Sequence, residues 1–329
     1  MKKILKVLIA DKLHDSFNFH FSNNKIEYTY AFDWKDSDIL NQIQNFDGLI
    51  LRSRFIIDQY FINYTKNLLF IARVGSGTDG IDKKILAKKN IQLLTAPEGN
   101  RNAVTEHTLG LIFSVLNNFK IAQNQLSHLE WKRETNRGTE LAGKTVGVIG
   151  YGNVGRLLSQ KLNALGCEVL AFDKRTKKQD DFAKLVSLEE LQQKAQLVSI
   201  HIPLDDDIDG REGEKGNFYF ADDAFFQNFK NSIFFFNTSR GEVVNTEALL
   251  KYLKNGKIQG AGLDVLENEK LDTFTRLQKQ QFEELISMQN VILTPHVAGW
   301  TFESYENLNK VLGQKINEFV EDYFKNEDK

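Results

Sequence analysis

Short apolar runs bounded by polar or turn residues recur through the first hundred positions. They predict strands at residues 6–10, 27–30, 48–51, 69–73 and 92–94, with helical spacing between them near 36–43, 58–64 and 81–88. Strands alternating with helices imply a parallel sheet with right-handed crossovers. A helical stretch follows over 102–130, with Leu109, Ile112, Phe113 and Leu116 at helical intervals. A second alternating series then predicts strands at 145–149, 168–172, 197–200, 233–236, 258–263 and 291–293, enough for a complete doubly wound sheet. From 302 onward the pattern is one closing helix.

The expected fold class is therefore α/β, with two doubly wound parallel-sheet lobes. One lobe takes 1–100 and the returning tail 296–329; the other takes 101–295. A cleft between lobes is the expected ligand site. The three prolines, against roughly 16 at average usage, each follow a strand-like run: Pro97, Pro203 and Pro295. Proline cannot continue a central strand, so these mark strand exits, whether or not they also shape a site there.

Composition narrows the function classes. The 329 residues carry a formal net charge of −2, which lacks the basic surplus of a nucleic-acid binder. No 18-residue uncharged apolar run exists for a membrane span. Lys6 interrupts the apolar start, which reads as a strand and not as a signal peptide. The single cysteine, Cys167, builds neither an internal disulfide nor a cysteine metal site. A cytoplasmic protein, no nucleic-acid or membrane partner and no metal are expected. The charged stretch at 205–216 reads as a solvated surface loop; its three consecutive aspartates do not by themselves indicate a metal.

Residues 145–155, TVGVIGYGNVG, place Gly150, Gly152 and Gly155 in G-x-G-x-x-G spacing after a strand and before a helix. Gly150 permits the tight turn, Gly152 the approach of a pyrophosphate and Gly155 the packing of helix on strand. The next strand ends at Asp173, 23 residues after Gly150. A carboxylate there accepts from ribose hydroxyls and repels a 2′-phosphate, favouring NAD over NADP; Lys174 and Arg175 beside it work in the opposite sense.

Parallel sheets carry their chemistry at the carboxyl ends of strands. Those ends hold Asn237-Thr238-Ser239-Arg240, Asp264 with Glu267 and Glu269 beyond, and Thr294-Pro295-His296. Hydride transfer to a ketone needs a proton donor, which suits His296. It needs a cation for the substrate carboxylate and carbonyl, which suits Arg240. It needs a carboxylate to hold the imidazole and raise its pKa, which suits Glu269. His201 reads as a lining residue and His107 as structural.

These residues resemble the D-isomer-specific 2-hydroxyacid dehydrogenases, most closely their D-3-phosphoglycerate dehydrogenase branch. Seven ordered segments carry the likeness: LRSR (51–54), FIARVGSGTDGID (70–82), APEGNRNAVTEHTLG (96–110), GKTVGVIGYGNVGR (143–156), NTSRGEVVN (237–245), GAGLDVLENE (260–269) and LTPHVAG (293–299). The resemblance implies a Rossmann NAD-binding domain and a flavodoxin-like substrate domain, and Arg240, Glu269 and His296 as the catalytic set. It implies cofactor contacts at Ser76, Asn153, Val154, Asp173, Ile202, Thr238, Arg240, Asp264 and His296, beside the three glycines. It implies substrate contacts at Arg52, Ser53, Ser76, Gly77 and Asn100, with Arg240 and His296, and a homodimer built partly on the helix from 102 onward. Gly80 departs from the family's usual asparagine, which would loosen that turn, and the 205–216 loop is longer than usual. The 33 residues after His296 are too few for the regulatory domain of some phosphoglycerate dehydrogenases.

The implied activity is NAD-dependent oxidation of a D-2-hydroxy acid, 3-phosphoglycerate in serine biosynthesis being the leading substrate. Arg52 and Arg54 offer cations for a phosphate and would equally serve a carboxylate. Glycerate, glyoxylate or D-lactate dehydrogenases and an NAD-sensing corepressor-like protein stand as alternatives.

Overall fold

The computed structural model describes residues 4–176, 180–204 and 216–327. Positions 205–215 of the charged stretch lie outside the described residues. The chain divides into two compact units, Met1–Arg101 with Trp300–Lys329 and Asn102–Gly299.

The first unit is built on five parallel strands, β1 (Leu5–Ile9), β2 (Ile26–Tyr30), β3 (Gly48–Leu51), β4 (Phe70–Arg73) and β5 (Gln92–Thr95). Their order, β2-β1-β3-β4-β5, is the flavodoxin-like doubly wound arrangement. Side chains alternate across each strand, and the two faces bury separate cores. Leu5, Val7, Ile9, Ile50 and Phe70 face the closing helix, Phe302–Glu327. That helix answers with Leu308, Leu312, Ile316 and Val320, a four-residue stripe. On the opposite face Leu8, Leu49, Leu51 and Ile71 pack with Ile39, Ile43, Phe61 and Leu86. Gly80 has φ +74, a left-handed position that glycine and asparagine both support, and its carbonyl accepts from Ile57 N–H at 2.7 Å.

The second unit carries seven parallel strands, β6 (Thr145–Ile149), β7 (Glu168–Phe172), β8 (Lys184–Leu185), β9 (Leu197–Ile200), β10 (Ile233–Asn237), β11 (Ile258–Leu263) and β12 (Val291–Leu293). The order β12-β11-β10-β9-β6-β7-β8 reverses direction between β6 and β9. A doubly wound sheet binds ligands at such a switch point, outside the carboxyl ends of its strands. Among the described residues, no helix is long and apolar enough to cross a membrane.

Two local expectations need correction. The sheet has seven strands and not six, because the two-residue β8 is too short for a periodic signal. The stretch expected as one helix is two, Arg101–Leu116 and Phe119–Ser127. Asn118 breaks it by adopting φ +55, a conformation its short polar side chain tolerates, and its amide nitrogen donates to the Arg137 carbonyl at 3.2 Å. A short helix also forms at Phe17–His20, between β1 and β2.

The closing helix supplies a test of packing against propensity. A Cβ added at Gly313 would stand 2.4 Å from the His20 carbonyl oxygen, a backbone atom. Helix propensity alone predicts that Gly313→Ala gains about 1 kcal/mol. The packing predicts a loss, read as a lower midpoint in urea unfolding; a raised midpoint would contradict it.

Candidate active site

β6 ends at Ile149 and the glycine loop follows. Gly150 has φ +92, and a Cβ there would lie 2.5 Å from the His201 carbonyl oxygen. Gly155 packs so closely that its Cβ would meet the Gly150 carbonyl oxygen at 1.9 Å. Gly152, the N-cap of helix Asn153–Ala164, has nothing within 4 Å of where its Cβ would be. Two glycines are thus required by the fold, and the third leaves open space at a helix N-terminus whose first N–H groups lack intrahelical partners. Asn153 is exposed there, with Val154 half-buried behind it. A cavity of about 260 Å³ opens beside the loop, lined by Gly150, Gly152, Phe172, Asp173, Ile202 and Pro203 among others. Its apolar walls, glycine floor and helix N-terminus fit a dinucleotide: ring surfaces for the adenine, room and donors for the pyrophosphate.

Asp173 closes this pocket at the end of β7. Its Oδ2 accepts from Tyr151 N–H at 2.6 Å, and its Oδ1 from Arg175 and Thr176 N–H at 2.7 and 2.9 Å. The carboxylate therefore ties the glycine loop to the turn after β7 while bringing negative charge to the pocket. His201 lines the same cavity. Desolvation lowers its pKa to about 3, so the imidazole is neutral, and its Nε2 lies 2.8 Å from Ser199 Oγ.

β10 ends at Asn237, whose side chain folds the loop that follows. Its Oδ1 accepts from Ser239 N–H and Oγ, both at 3.0 Å, and its Nδ2 donates to the Arg240 carbonyl at 2.9 Å. Thr238 is buried and donates its hydroxyl proton to Thr108 Oγ1 at 2.9 Å, since Thr108 gives its own to the Val104 carbonyl. Arg240 Nη1 donates to the Ser239 carbonyl at 2.7 Å, and the guanidinium is close enough to His296 to oppose its protonation.

Asp264, 1% exposed, follows β11 and organises the turn after β12. Its Oδ1 accepts from Thr294 Oγ1 at 2.6 Å and Val297 N–H at 2.9 Å; its Oδ2 accepts from Ala298 N–H at 2.8 Å. Its carbonyl accepts from His296 N–H at 2.7 Å. His107 Nε2 donates to Thr294 Oγ1 at 2.9 Å, as it must once that hydroxyl proton is given to Asp264. Within this turn His296 stands at φ +54, a conformation uncommon outside glycine. So held, its Nδ1 meets Glu269 Oε2 at 2.8 Å, with both side chains a little under half exposed. The Glu269 hydrogen bond raises the His296 pKa and the Glu269 and Asp264 charges add to it; partial burial and Arg240 oppose, and the net direction is upward. Glu267 is engaged elsewhere: Oε2 accepts from Tyr219 OH at 2.7 Å and Oε1 from Thr246 N–H at 2.5 Å.

The first unit holds the remaining candidates. Arg52, Ser53 and Arg54 follow β3, and their three backbone N–H groups all donate to Asp11 Oδ2, at 2.6, 3.2 and 3.3 Å. Arg52 Nη1 donates to Tyr305 OH at 3.1 Å. Arg54 is not available as a ligand cation: its guanidinium binds Asp36 Oδ1 at 2.7 Å and the carbonyls of Ala10, Ala31, Phe32 and Trp34. Asn100 Nδ2 donates to Ser76 Oγ at 3.2 Å, joining the turn after β5 to the one after β4, beside Gly77. Thr294 stands at the strand end with His296 but received no role from the sequence, and Asp11 and Tyr305 were not singled out. Asp11 had a usable signal, an acid two residues past a strand end, and Thr294 had its place directly after β12; Tyr305 had none.

The family model for the D-isomer specific 2-hydroxyacid dehydrogenase, NAD binding domain, matches residues 109–298. A D-3-phosphoglycerate dehydrogenase of Archaeoglobus fulgidus is 28% identical over 315 residues, covering 95% of this chain and 56% of that protein. A hydroxypyruvate reductase of Thermotoga maritima is 30% identical over 298 residues, covering 90% and 91%. The chain thus spans about half the length of the phosphoglycerate dehydrogenases it matches and nearly all of the reductase. Among solved structures, D-lactate dehydrogenase from Aquifex aeolicus, complexed with NAD and lactic acid, has a similar fold, with TM-score 0.80, 23% identity and coverage of 97% and 96%.

The glycine loop separates folding from binding. Gly155→Ala must displace backbone and should destabilise the second unit strongly. Gly152→Ala should fold with an unchanged unfolding midpoint yet bind NADH at least tenfold more weakly, measured by fluorescence titration. Equal NADH affinity in Gly152→Ala and the native protein would show that the pyrophosphate does not approach there.

Proposed function

The chain belongs to the D-isomer specific 2-hydroxyacid dehydrogenase family, and from that premise we propose that it interconverts a D-2-hydroxy acid and its 2-oxo acid with NAD. The carrying observation is the 2.8 Å His296–Glu269 pair with Arg240 within electrostatic reach. Residues 109–298 are the family's NAD-binding domain, and bound NAD supplies the hydride acceptor, or NADH the donor. The loop at Gly150, Gly152, Asn153, Val154 and Gly155 would hold the pyrophosphate, Asp173 the adenosine ribose, and Ile202 and Thr238 the flanking surfaces.

The protein's own groups move the proton and hold the acid. His296 Nδ1 is occupied by Glu269, so Nε2 faces the reaction. Neutral, it takes the proton of the hydroxyl group; protonated, it donates to the carbonyl oxygen. Glu269 orients the ring and stabilises the imidazolium. Arg240 supplies positive charge for the substrate carboxylate and polarises the carbonyl. Arg52, with Ser53, Ser76, Gly77 and Asn100, is assigned to binding the acid. We take 3-phosphoglycerate as the substrate, with Arg52 reading its phosphate; hydroxypyruvate or glyoxylate is the competing choice. Exposed Phe119, Leu126, Leu129 and Trp131 support a homodimer.

Steady-state assays with NADH and a panel of 2-oxo acids test the activity, and absence of turnover on all of them would overturn it. His296→Ala should lower kcat by about 10²–10⁴-fold. Hydroxyl oxidation needs neutral His296 and rises with pH through its pKa, while carbonyl reduction needs the imidazolium and falls. Glu269→Gln removes the group that raises this pKa, so both limbs should move to lower pH. Profiles unmoved in both directions would remove Glu269 from the mechanism.

A further inference from the structure

Arg52 lies in an aromatic notch. Its Cζ is 5.0 Å from the Trp300 ring centroid and 5.0 Å from that of Tyr305. The two rings are 5.1 Å apart and tilted by 35°. Three nearly equal separations place both rings on one side of the guanidinium, so they support it without enclosing it. The Tyr305 hydroxyl accepts from Nη1 at 3.1 Å and its proton points toward the Lys12 carbonyl, 3.5 Å away. The helix that carries Tyr305 is anchored by the buried stripe Leu308, Leu312, Ile316 and Val320, so the notch is rigid on that side.

The backbone beside Arg52 makes this placement informative. Three consecutive N–H groups, at Arg52, Ser53 and Arg54, would form an anion-binding nest, but the Asp11 carboxylate already fills it. Arg54 is committed to Asp36 and backbone carbonyls. Among the described residues Arg52 has no carboxylate partner, so its guanidinium keeps positive charge to offer a ligand. Ring faces attract the cation and repel an anion, which leaves an anionic ligand only the open edge of the guanidinium, where paired N–H donors match phosphate oxygens.

We propose that Trp300 and Tyr305 are positioning residues that fix the Arg52 guanidinium and so set the preference for a phosphorylated over an unphosphorylated 2-hydroxy acid. This rests on the reading that Arg52 binds the substrate phosphate. An arginine without the notch would sample many rotamers and lose affinity on being ordered by the ligand. The penalty falls only on a ligand that uses the guanidinium.

The test measures kcat and KM for oxidation of D-3-phosphoglycerate and D-glycerate in the native protein, Arg52→Ala, Trp300→Leu, Trp300→Phe, Tyr305→Phe and the double variant Arg52→Ala/Trp300→Leu. Trp300→Leu should raise KM for phosphoglycerate about three- to thirty-fold, the span of cation–π contacts, with kcat and the glycerate KM unchanged. Trp300→Phe, which keeps a ring, should recover part of the loss, and Tyr305→Phe should cost less than Trp300→Leu. The double variant should be no worse than Arg52→Ala, because the tryptophan acts through the arginine. If Arg52→Ala is selective for phosphoglycerate but Trp300→Leu weakens both substrates alike, or adds fully to Arg52→Ala, the positioning role is wrong and the phosphate reading stands. If Arg52→Ala itself affects both substrates equally, the phosphate reading fails and the proposal falls with it.

Discussion

One buried carboxylate, Asp264, fixes the geometry of the turn that carries His296 in the second unit. Its two oxygens accept from Thr294, Val297 and Ala298, and its carbonyl accepts from His296. A buried charge is tolerated when its lone pairs are satisfied, and here the donors come from the turn that needs shaping. A left-handed histidine costs on the order of 1–3 kcal/mol; four hydrogen bonds to one aspartate hold it there. The consequence is chemical, because that backbone conformation aims the imidazole at Glu269 and so raises its pKa.

The sheet supplies the setting. Parallel strands end on one edge, so β10, β11 and β12 deliver the Arg240 loop, Asp264 and His296 as neighbours without long excursions. The strand order reverses at β6 and β9, and the glycine loop and Ile202 meet at that point. The fold needs Gly150 and Gly155 for its own packing and leaves Gly152 open. Asp173 and Asp264 do parallel work: each is an acid just past a strand end that captures backbone N–H groups of a neighbouring loop.

Much of this was legible in the sequence because it depends on local order. Gly150, Gly152 and Gly155 sit in one short segment, and strand ends locate His296, Arg240 and Glu269 without knowledge of packing. Glu269 and Glu267 are equivalent in composition, yet only Glu269 meets the imidazole, since Glu267 is held by Tyr219 and Thr246. Arg54 looked like a ligand cation beside Arg52. Its real partners, the carbonyls near Ala10 and Ala31, are more than twenty positions away in the chain. The break at Asn118 was hidden because asparagine is also an ordinary helix-surface residue. In each case the missing information was which distant group a polar side chain reaches, and hydrophobic periodicity carries none of it.

The role of Asp264 is tested most directly by NMR titration of the His296 imidazole in the native protein, Glu269→Gln and Asp264→Asn. Asparagine keeps the size but cannot accept on its nitrogen, so the turn loses a bond at Ala298 or Val297. Asp264→Asn should lower the His296 pKa by at least as much as Glu269→Gln does, although Glu269 is still present, because the imidazole no longer reaches it and the direct contribution of the Asp264 charge is lost as well. An Asp264→Asn protein that retains most of the elevated pKa would contradict the claim that this carboxylate holds the pair together.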